Sequence, residues 1–357
     1  MDSLHSFIKG ECMEMCPKDE ITLRVKEKLV HTLEVDPNFD NNNKSEMYSK
    51  RMVKSFSRSA AGKSMQDPKQ LRPTAVLLKT VHYLLKDVII NDRVPWNVTC
   101  DFITDRLRSV RQDMVVQSLP VVDCINILQP IVNFYAYASY RSCNESISNF
   151  DPVLHRRQFQ ECIKRLLCLY DECDHKKNCN KAYEEIQKSR PYYEALYVLL
   201  NLGNTDALSR AIRLRSQFKT KKLKLAVSAS LALFENNFVR VCKILKQFSG
   251  LLLAVVCLHL PEIRKQTLKV MSVAYNSKNL IFPFSILKKL FLYENLGDVI
   301  SDCTYYGLTS SEDGVYFIKL NFKEDELTKQ PTHLDFVNEH LKTIEVPKLI
   351  LDMQFIQ

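Results

Sequence analysis

From Pro73 onward the apolar positions recur with the period of an α-helix. Val76, Leu77, Thr80, Val81, Leu84, Leu85 and Val88 form one stripe. Ile103, Leu107, Val110 and Met114 form a second, and Ile127, Leu128, Ile131, Phe134 and Tyr135 a third. Spacings of three and four put such residues on one face of a helix, where they pack against a neighbour. The same period predicts helices near 153–171, 179–200, 204–217, 222–235, 237–247 and 250–259. Caps and breakers separate them: Pro120, Asp151-Pro152, Gly203-Asn204-Thr205 and Gly250. Helices of roughly 10–20 residues with short connections stack as antiparallel pairs, so the expectation is a solenoid. No clean repeat of about 34 residues is present, which makes the array a degenerate one.

Both ends of the chain depart from this pattern. A first helix is predicted from Pro17 to about Val35. Pro17 suits the first helical position, Asp19 and Glu20 its positive end, and Ile21, Val25, Leu29 and Leu33 its apolar face. Residues 36–45 form a loop by composition, and the polar, basic stretch 50–72 is predicted to be an exposed arm. In the last third, helices are predicted over Pro261–Tyr275, Pro283–Tyr293 and Glu294–Tyr306, the last closed by Gly307 as a left-handed cap. A turn at Ser311-Glu312-Asp313-Gly314 then leads into a β-rich run, Val315 to Leu320. Three helices followed by a strand or short ribbon outline a winged helix.

Composition supports a helical reading. Glycine is scarce, 7 of 357 residues, whereas sheet-rich folds and phosphate-cradling enzymes need it for turns and close backbone approach. The longest apolar run, Leu251 to Leu260, is far short of the roughly 20 residues of a membrane span, and the first ten residues lack a secretory apolar segment. The expectation is a soluble, intracellular chain whose twelve cysteines are reduced.

Charge adds candidate chemistry. The net +9 is unevenly distributed. Lys50, Arg51, Lys54, Arg58, Lys63, Lys69 and Arg72 are opposed only by Asp67, with serines between them that can donate to phosphate oxygens. Arg210, Arg213, Arg215, Lys219, Lys221, Lys222 and Lys224 have no acid among them. Clustered cations of this kind release counterions from a nucleic-acid backbone, or meet an acidic protein. The interleaved Asp105, Arg106, Arg108, Arg111 and Asp113 instead suggest salt bridges between neighbouring helices. Cys168, Cys173, His175 and Cys179 have irregular spacings that do not make a zinc site. No nucleophile elbow, phosphate loop, zinc-protease helix or dinucleotide turn is present, so no catalytic residue, metal ligand, cofactor or small-molecule substrate is assigned. The predicted third helix of the winged module carries Glu294, Asp298 and Asp302 and no Lys or Arg. Major-groove reading needs donors on that helix, so it is assigned to a protein partner. Lys288, Lys289 and the wing residue Lys319 are assigned to a nucleic-acid backbone, together with Lys50, Arg51, Lys54, Arg58, Lys63, Arg213, Arg215, Lys221 and Lys222.

Several stretches carry a family resemblance: GECMEMCPKDE at 10–20, KSFSRSAAGK at 54–63, LRPTAVLLKTVHYLL at 71–85, DRLRSVRQDM at 105–114, YYEALYVLLNLG at 192–203 and FPFSILKKLFLYE at 282–294. In this order they resemble the SAC/GANP (Sac-three homology) family. The resemblance implies an all-α chain, a helical-repeat (TPR/PCI-like) solenoid followed by a winged-helix module with a short β-ribbon. The expected division is 1–70 for the N-terminal helix and basic arm, 71–258 for the array, 259–325 for the winged helix and 326–357 for a tail. The resemblance also implies a non-enzymatic scaffold like the core of the TREX-two complex of nuclear messenger-RNA export. Its implied partners are a PCI-domain winged-helix protein, a small acidic protein and RNA or DNA, with no membrane. Large members carry a Phe-Gly-rich extension and a long C-terminal region. This sequence shows neither, so the expected resemblance is to the short Sac-three-domain-containing type. That type is linked to centrosome duplication and the mitotic spindle, the alternative role, which adds cytoplasm and centrosome to the expected nuclear location.

Overall fold

The computed structural model describes residues 8–35, 50–58, 66–175, 181–214 and 216–352. It is mostly helical, with one small antiparallel sheet, and it divides into two compact units. The first unit comprises Met1–Ala138, Ile147–Ser189 and Glu345–Gln357, the second Ser139–Ser146 and Arg190–Ile344.

In the first unit the three stripes predicted above become buried helix faces. Helices α1 (Lys18–Lys26), α2 (Thr74–Tyr83), α3 (Trp96–Val116), α4 (Val121–Arg141) and α5 (Pro152–His175) follow in order, and α6 (Lys181–Leu200) begins here. Leu77, Ile103, Leu107, Val110, Ile131 and Phe134 are completely buried. Helix α2 runs into a π-helical turn over Leu84–Val88, which keeps Leu84, Leu85 and Val88 on the core side.

The first helix is shorter than its pattern. It stops at Lys26, and Lys28 turns the chain back with φ of 56°. A short 3-10 turn, Thr32–Glu34, follows. The stripe of Ile21, Val25, Leu29 and Leu33 does not persist as a face: Leu29 is exposed, while Leu33 and Glu34 are buried. What overrides helical propensity is the Glu34 carboxylate, which the turn delivers to buried donors. The described parts of the basic stretch also depart from an exposed arm. Met52, Val53 and Arg72 are fully buried, and Leu71 nearly so. They lie extended beside the segment 10–16, joined by Cys12 N–H to Leu71 O at 2.9 Å and Lys54 N–H to Met15 O at 3.0 Å. Gly10 is required at this crossing, because a β-carbon there would lie 2.5 Å from the Leu71 carbonyl oxygen.

The second unit continues with α7 (Thr205–Leu214), α8 (Lys221–Phe234), α9 (Phe238–Leu245), α10 (Gly250–Cys257) and α11 (Leu260–Ala274). Predicted punctuation acts as expected. Gly203 has φ of 81°, and Asn204 caps α7 by accepting from Asp206 N and Ala207 N, each at 3.0 Å. Every residue of α10 from Leu251 to Cys257 is buried, as an all-round apolar helix requires. Then come β1 (Ile281–Pro283), α12 (Phe284–Leu290), α13 (Leu296–Tyr305), β2 (Thr309–Ser310) and β3 (Gly314–Tyr316). The sheet order is β1-β3-β2, antiparallel throughout, with Phe282 opposite Val315 and Ser310 opposite Val315. Helix α13 ends in a Schellman motif: Gly307 has φ of 80°, Leu308 N–H reaches Cys303 O at 2.8 Å, and Gly307 N–H reaches Thr304 O at 3.0 Å.

The β-rich run predicted to reach Leu320 stops at Tyr316, and Lys319–Asn321 form a 3-10 turn whose first N–H donates to Asn276 Oδ1 at 3.1 Å. Residues past 326 hold two further helices. In the second unit α14 (Asp335–Lys342) packs on α10 through Val337. In the first, α15 (Val346–Leu351) packs on the π-helical turn through Leu349 and Ile350.

Candidate interaction surfaces

The polar stripe of α3, Asp105, Ser109 and Asp113, faces the extended segments of the first unit. Asp113 is fully buried and takes two cations. Arg72 Nε donates to Oδ2 at 2.7 Å and Lys54 Nζ to Oδ1 at 2.7 Å. Arg72 spends its remaining donors on Met15 O at 3.2 Å and Ser109 Oγ at 2.8 Å. A second centre forms around buried Glu34. Its carboxylate accepts from Arg24, from Val53 N at 3.1 Å, from His31 N at 3.1 Å and from Arg106 at 3.4 Å. Burial alone would lower the Arg24 pKa, but the Glu34 carboxylate outweighs it and raises it. The 105–113 segment thus pairs mainly with extended segments and the 3-10 turn rather than with neighbouring helices; the helix-to-helix contacts are those of Arg111 with Gln158 and Glu161 on α5.

Lys54 and Arg72 therefore serve the interior of the fold. Lys50 and Arg58 are exposed and Arg51 is half-buried. Lys63 lies outside the described residues, as do Arg215 and Cys179.

In the second unit the cations split into two groups. Arg210 is bound to Glu194 by two contacts, 2.9 and 2.7 Å, and Arg190 shares the same buried carboxylate. Lys222 sits 5.7 Å from the Tyr192 ring centroid, and burial lowers its pKa. Arg213, Lys219, Lys221 and Lys224 are exposed, and among the described residues none of them pairs with a carboxylate. Lys221 and Lys224 stand in the first turn of α8, which contains no acid.

On α13, Asp302 is buried. It accepts from Tyr293 Oη at 2.9 Å and pairs with Lys329 at 2.8 Å. Burial, then the Asp302 charge, holds the Tyr293 phenol protonated. Asp298 is exposed and joined to the cap residue Asn295. Leu296 and Ile300, one helical turn apart, present 46% and 39% of their surfaces to solvent. Glu294 is half-buried at the start of α14, accepting from Asp335 N; burial raises its carboxyl, and the N–H groups of Asp335 and Phe336 pull it back down.

Lys288 and Lys289 line a cleft of about 580 Å³ with Lys246 at the C-terminal end of α9, Leu253 of α10, Leu292 and Phe336. Lys246 and Phe336 were not singled out from the sequence, because nothing local connects α9 with α14. Lys319 is exposed on the turn after β3.

The family model of SAC3/GANP matches residues 15–312, which includes the ionic core of the first unit and reaches past α13. The chain belongs to the SAC3/GANP family. Its relatives include SAC3 family protein 1 of Schizosaccharomyces pombe (strain 972 / ATCC 24843), 26% identical over 349 residues, which covers 90% of this chain and 32% of that protein. Protein xmas of Drosophila melanogaster is 26% identical over 319 residues, 86% of this chain and 15% of the relative. SAC3 family protein B of Arabidopsis thaliana is 26% identical over 281 residues, 74% and 15%. The chain thus spans about a third or less of the length of these SAC3/GANP relatives. Among the described residues of this SAC3/GANP chain, no helix is long and apolar enough to cross a membrane, and no group of three His, Cys, Asp or Glu side chains could hold a metal ion.

Proposed function

We propose that this SAC3/GANP chain is a non-enzymatic scaffold of a TREX-two-like assembly acting in nuclear messenger-RNA export. In this reading 71–258 is a PCI-like helical array and 259–325 a winged helix, with β2 and β3 as its wing. It pairs with a PCI-type winged-helix protein, with a small acidic protein joining the assembly, and holds nucleic acid on the second unit. The observation that carries the nucleic-acid part is the exposed set Arg213, Lys219, Lys221 and Lys224. Two of these lysines crowd the end of α8 that already carries the positive pole of the helix dipole, with no acid to offset them. A phosphate backbone relieves that repulsion and releases counterions. The partner side is supported by α13, whose exposed Leu296 and Ile300 and lack of cations suit protein better than phosphate.

The test is a triple variant, Arg213→Glu, Lys221→Glu and Lys224→Glu, compared with wild type in two measurements. Oligoribonucleotide affinity as a function of salt should lose about 2 from its log–log slope, at roughly 0.7 per single-strand phosphate contact. Affinity purification from nuclei should still recover the PCI-type partner, and thermal unfolding should be nearly unchanged, since exposed charges contribute little to stability. An unchanged salt slope would remove this face from nucleic-acid binding. Recovery of centrosomal proteins with no export partner would overturn the assembly.

A further inference from the structure

The cleft of the second unit combines two chemistries that a plain phosphate-binding patch does not need together. Its floor is apolar: Leu253 and Leu292 are buried, and Phe336 is half-buried beside them. Its rim is cationic: Lys246 and Lys289 are exposed, Lys288 is half-exposed, and among the described residues none of the three is paired with a carboxylate. The one acid in the lining, Glu294, is turned to the N-terminus of α14, where it accepts from Asp335 N. Its charge is therefore offset locally and does not cancel the lysines. The floor is also held in shape. Leu292 has φ of 58°, uncommon for a residue with a side chain, and Arg264 fixes that turn by donating to the carbonyls of Phe291 and Leu292.

We propose that this cleft docks an acidic segment of a partner protein that inserts one bulky apolar side chain between Lys246, Lys288 and Lys289. The volume, about 580 Å³, accepts a large side chain with its flanking backbone. Charge complementarity selects acidic flanks, and the aliphatic floor selects the anchor. Single-stranded nucleic acid fits less well. Readers of unstacked bases offer several aromatic or guanidinium faces and amide or hydroxyl groups for base edges. Here the walls offer aliphatic carbons, the rings of Phe336 and His340, the Ser285 hydroxyl and no Arg, Asn or Gln. This surface is separate from the α7–α8 cations, so the two assignments stand or fall independently.

The experiment uses the whole chain and three fluorescein-labelled probes: a short glutamate peptide with a central phenylalanine, the same peptide with alanine at the centre, and an oligouridylate. The phenylalanine peptide should bind at least about tenfold tighter than the alanine peptide, which is about 1.4 kcal/mol. Lys288→Glu with Lys289→Glu should weaken it by a further tenfold or more. Ser285→Trp fills the mouth of the cleft without changing charge, and should abolish the preference for phenylalanine while thermal unfolding and oligouridylate binding stay unchanged. Equal affinity for the two peptides, no measurable binding of the phenylalanine peptide, or competition for the cleft won by oligouridylate would each overturn the proposal.

Discussion

At the scale of single residues, the buried charges matter most. Asp113 pairs with both Arg72 and Lys54, and Arg72 and Asp113 are fully buried. Breaking a buried pair by removing one partner is far more costly than deleting a surface pair. Asp113→Ala should destabilise the first unit by about 3–5 kcal/mol in a denaturant titration, because Arg72 is left with no carboxylate. A loss below about 1 kcal/mol would show that water reaches the site. His155 makes a second prediction. Its ring is buried against Tyr135 and Phe150, Nε2 contacts Tyr135 O at 3.1 Å, and burial lowers its pKa to about 4. An unfolded imidazole titrates near 6.5, so the unfolded chain takes up this proton first as pH falls. The associated stability is fully present above that value and is lost progressively down to the folded pKa, by about 3 kcal/mol. His155→Gln should flatten the stability profile over that window; an unchanged profile would assign the acid sensitivity to other groups. Neither residue announces its role locally. Asp113 reads as one charge in a mixed run, and only its partners from 54 and 72 make it central.

Elements show how far local rules extend. The stops at Gly203, Asn204 and Gly307 fall where turn chemistry requires them, because a positive φ or an N-cap is a property of a few neighbouring residues. At Gly307 the requirement is also tertiary: a β-carbon would lie 2.4 Å from the Asn321 carbonyl oxygen. Gly307→Ala should therefore cost more than the roughly 1 kcal/mol of the backbone conformation alone, read as a lowered melting temperature. If it cost less, the Asn321 turn would have to shift freely. Strand β1 escaped the sequence because three residues, Ile281–Pro283, carry no measurable alternation and end in a proline that also opens α12. The first helix was overread for the converse reason. Its stripe continues past Lys26, but Lys28 adopts a left-handed turn so that Glu34 can reach its donors.

For the whole molecule, the two compact units make a prediction of their own. Segment 345–352 belongs to the first unit, where Leu349 and Ile350 are buried and Asn133 Nδ2 donates to Ile350 O at 2.9 Å. Ending the chain at residue 344 should speed hydrogen exchange in α2 and its π-helical turn while α8 to α10 keep their protection. Uniform loosening of both units would mean that they do not respond separately. The chain's helical class, the positions of most helices in 74–305 and its resemblance to the SAC/GANP family were legible from periodicity, caps and motif order, all of which are short-range properties of the sequence. The exposed cations Arg213, Lys221 and Lys224 were legible in the same way, since nothing in the fold withdrew them from solvent. The fate of Lys54, Arg72 and Asp302, and the union of Lys246 with Lys288 and Phe336 around one cleft, were decided only by tertiary structure. A charge's partners and exposure depend on which distant segments pack against it, and sequence spacing carries no record of that.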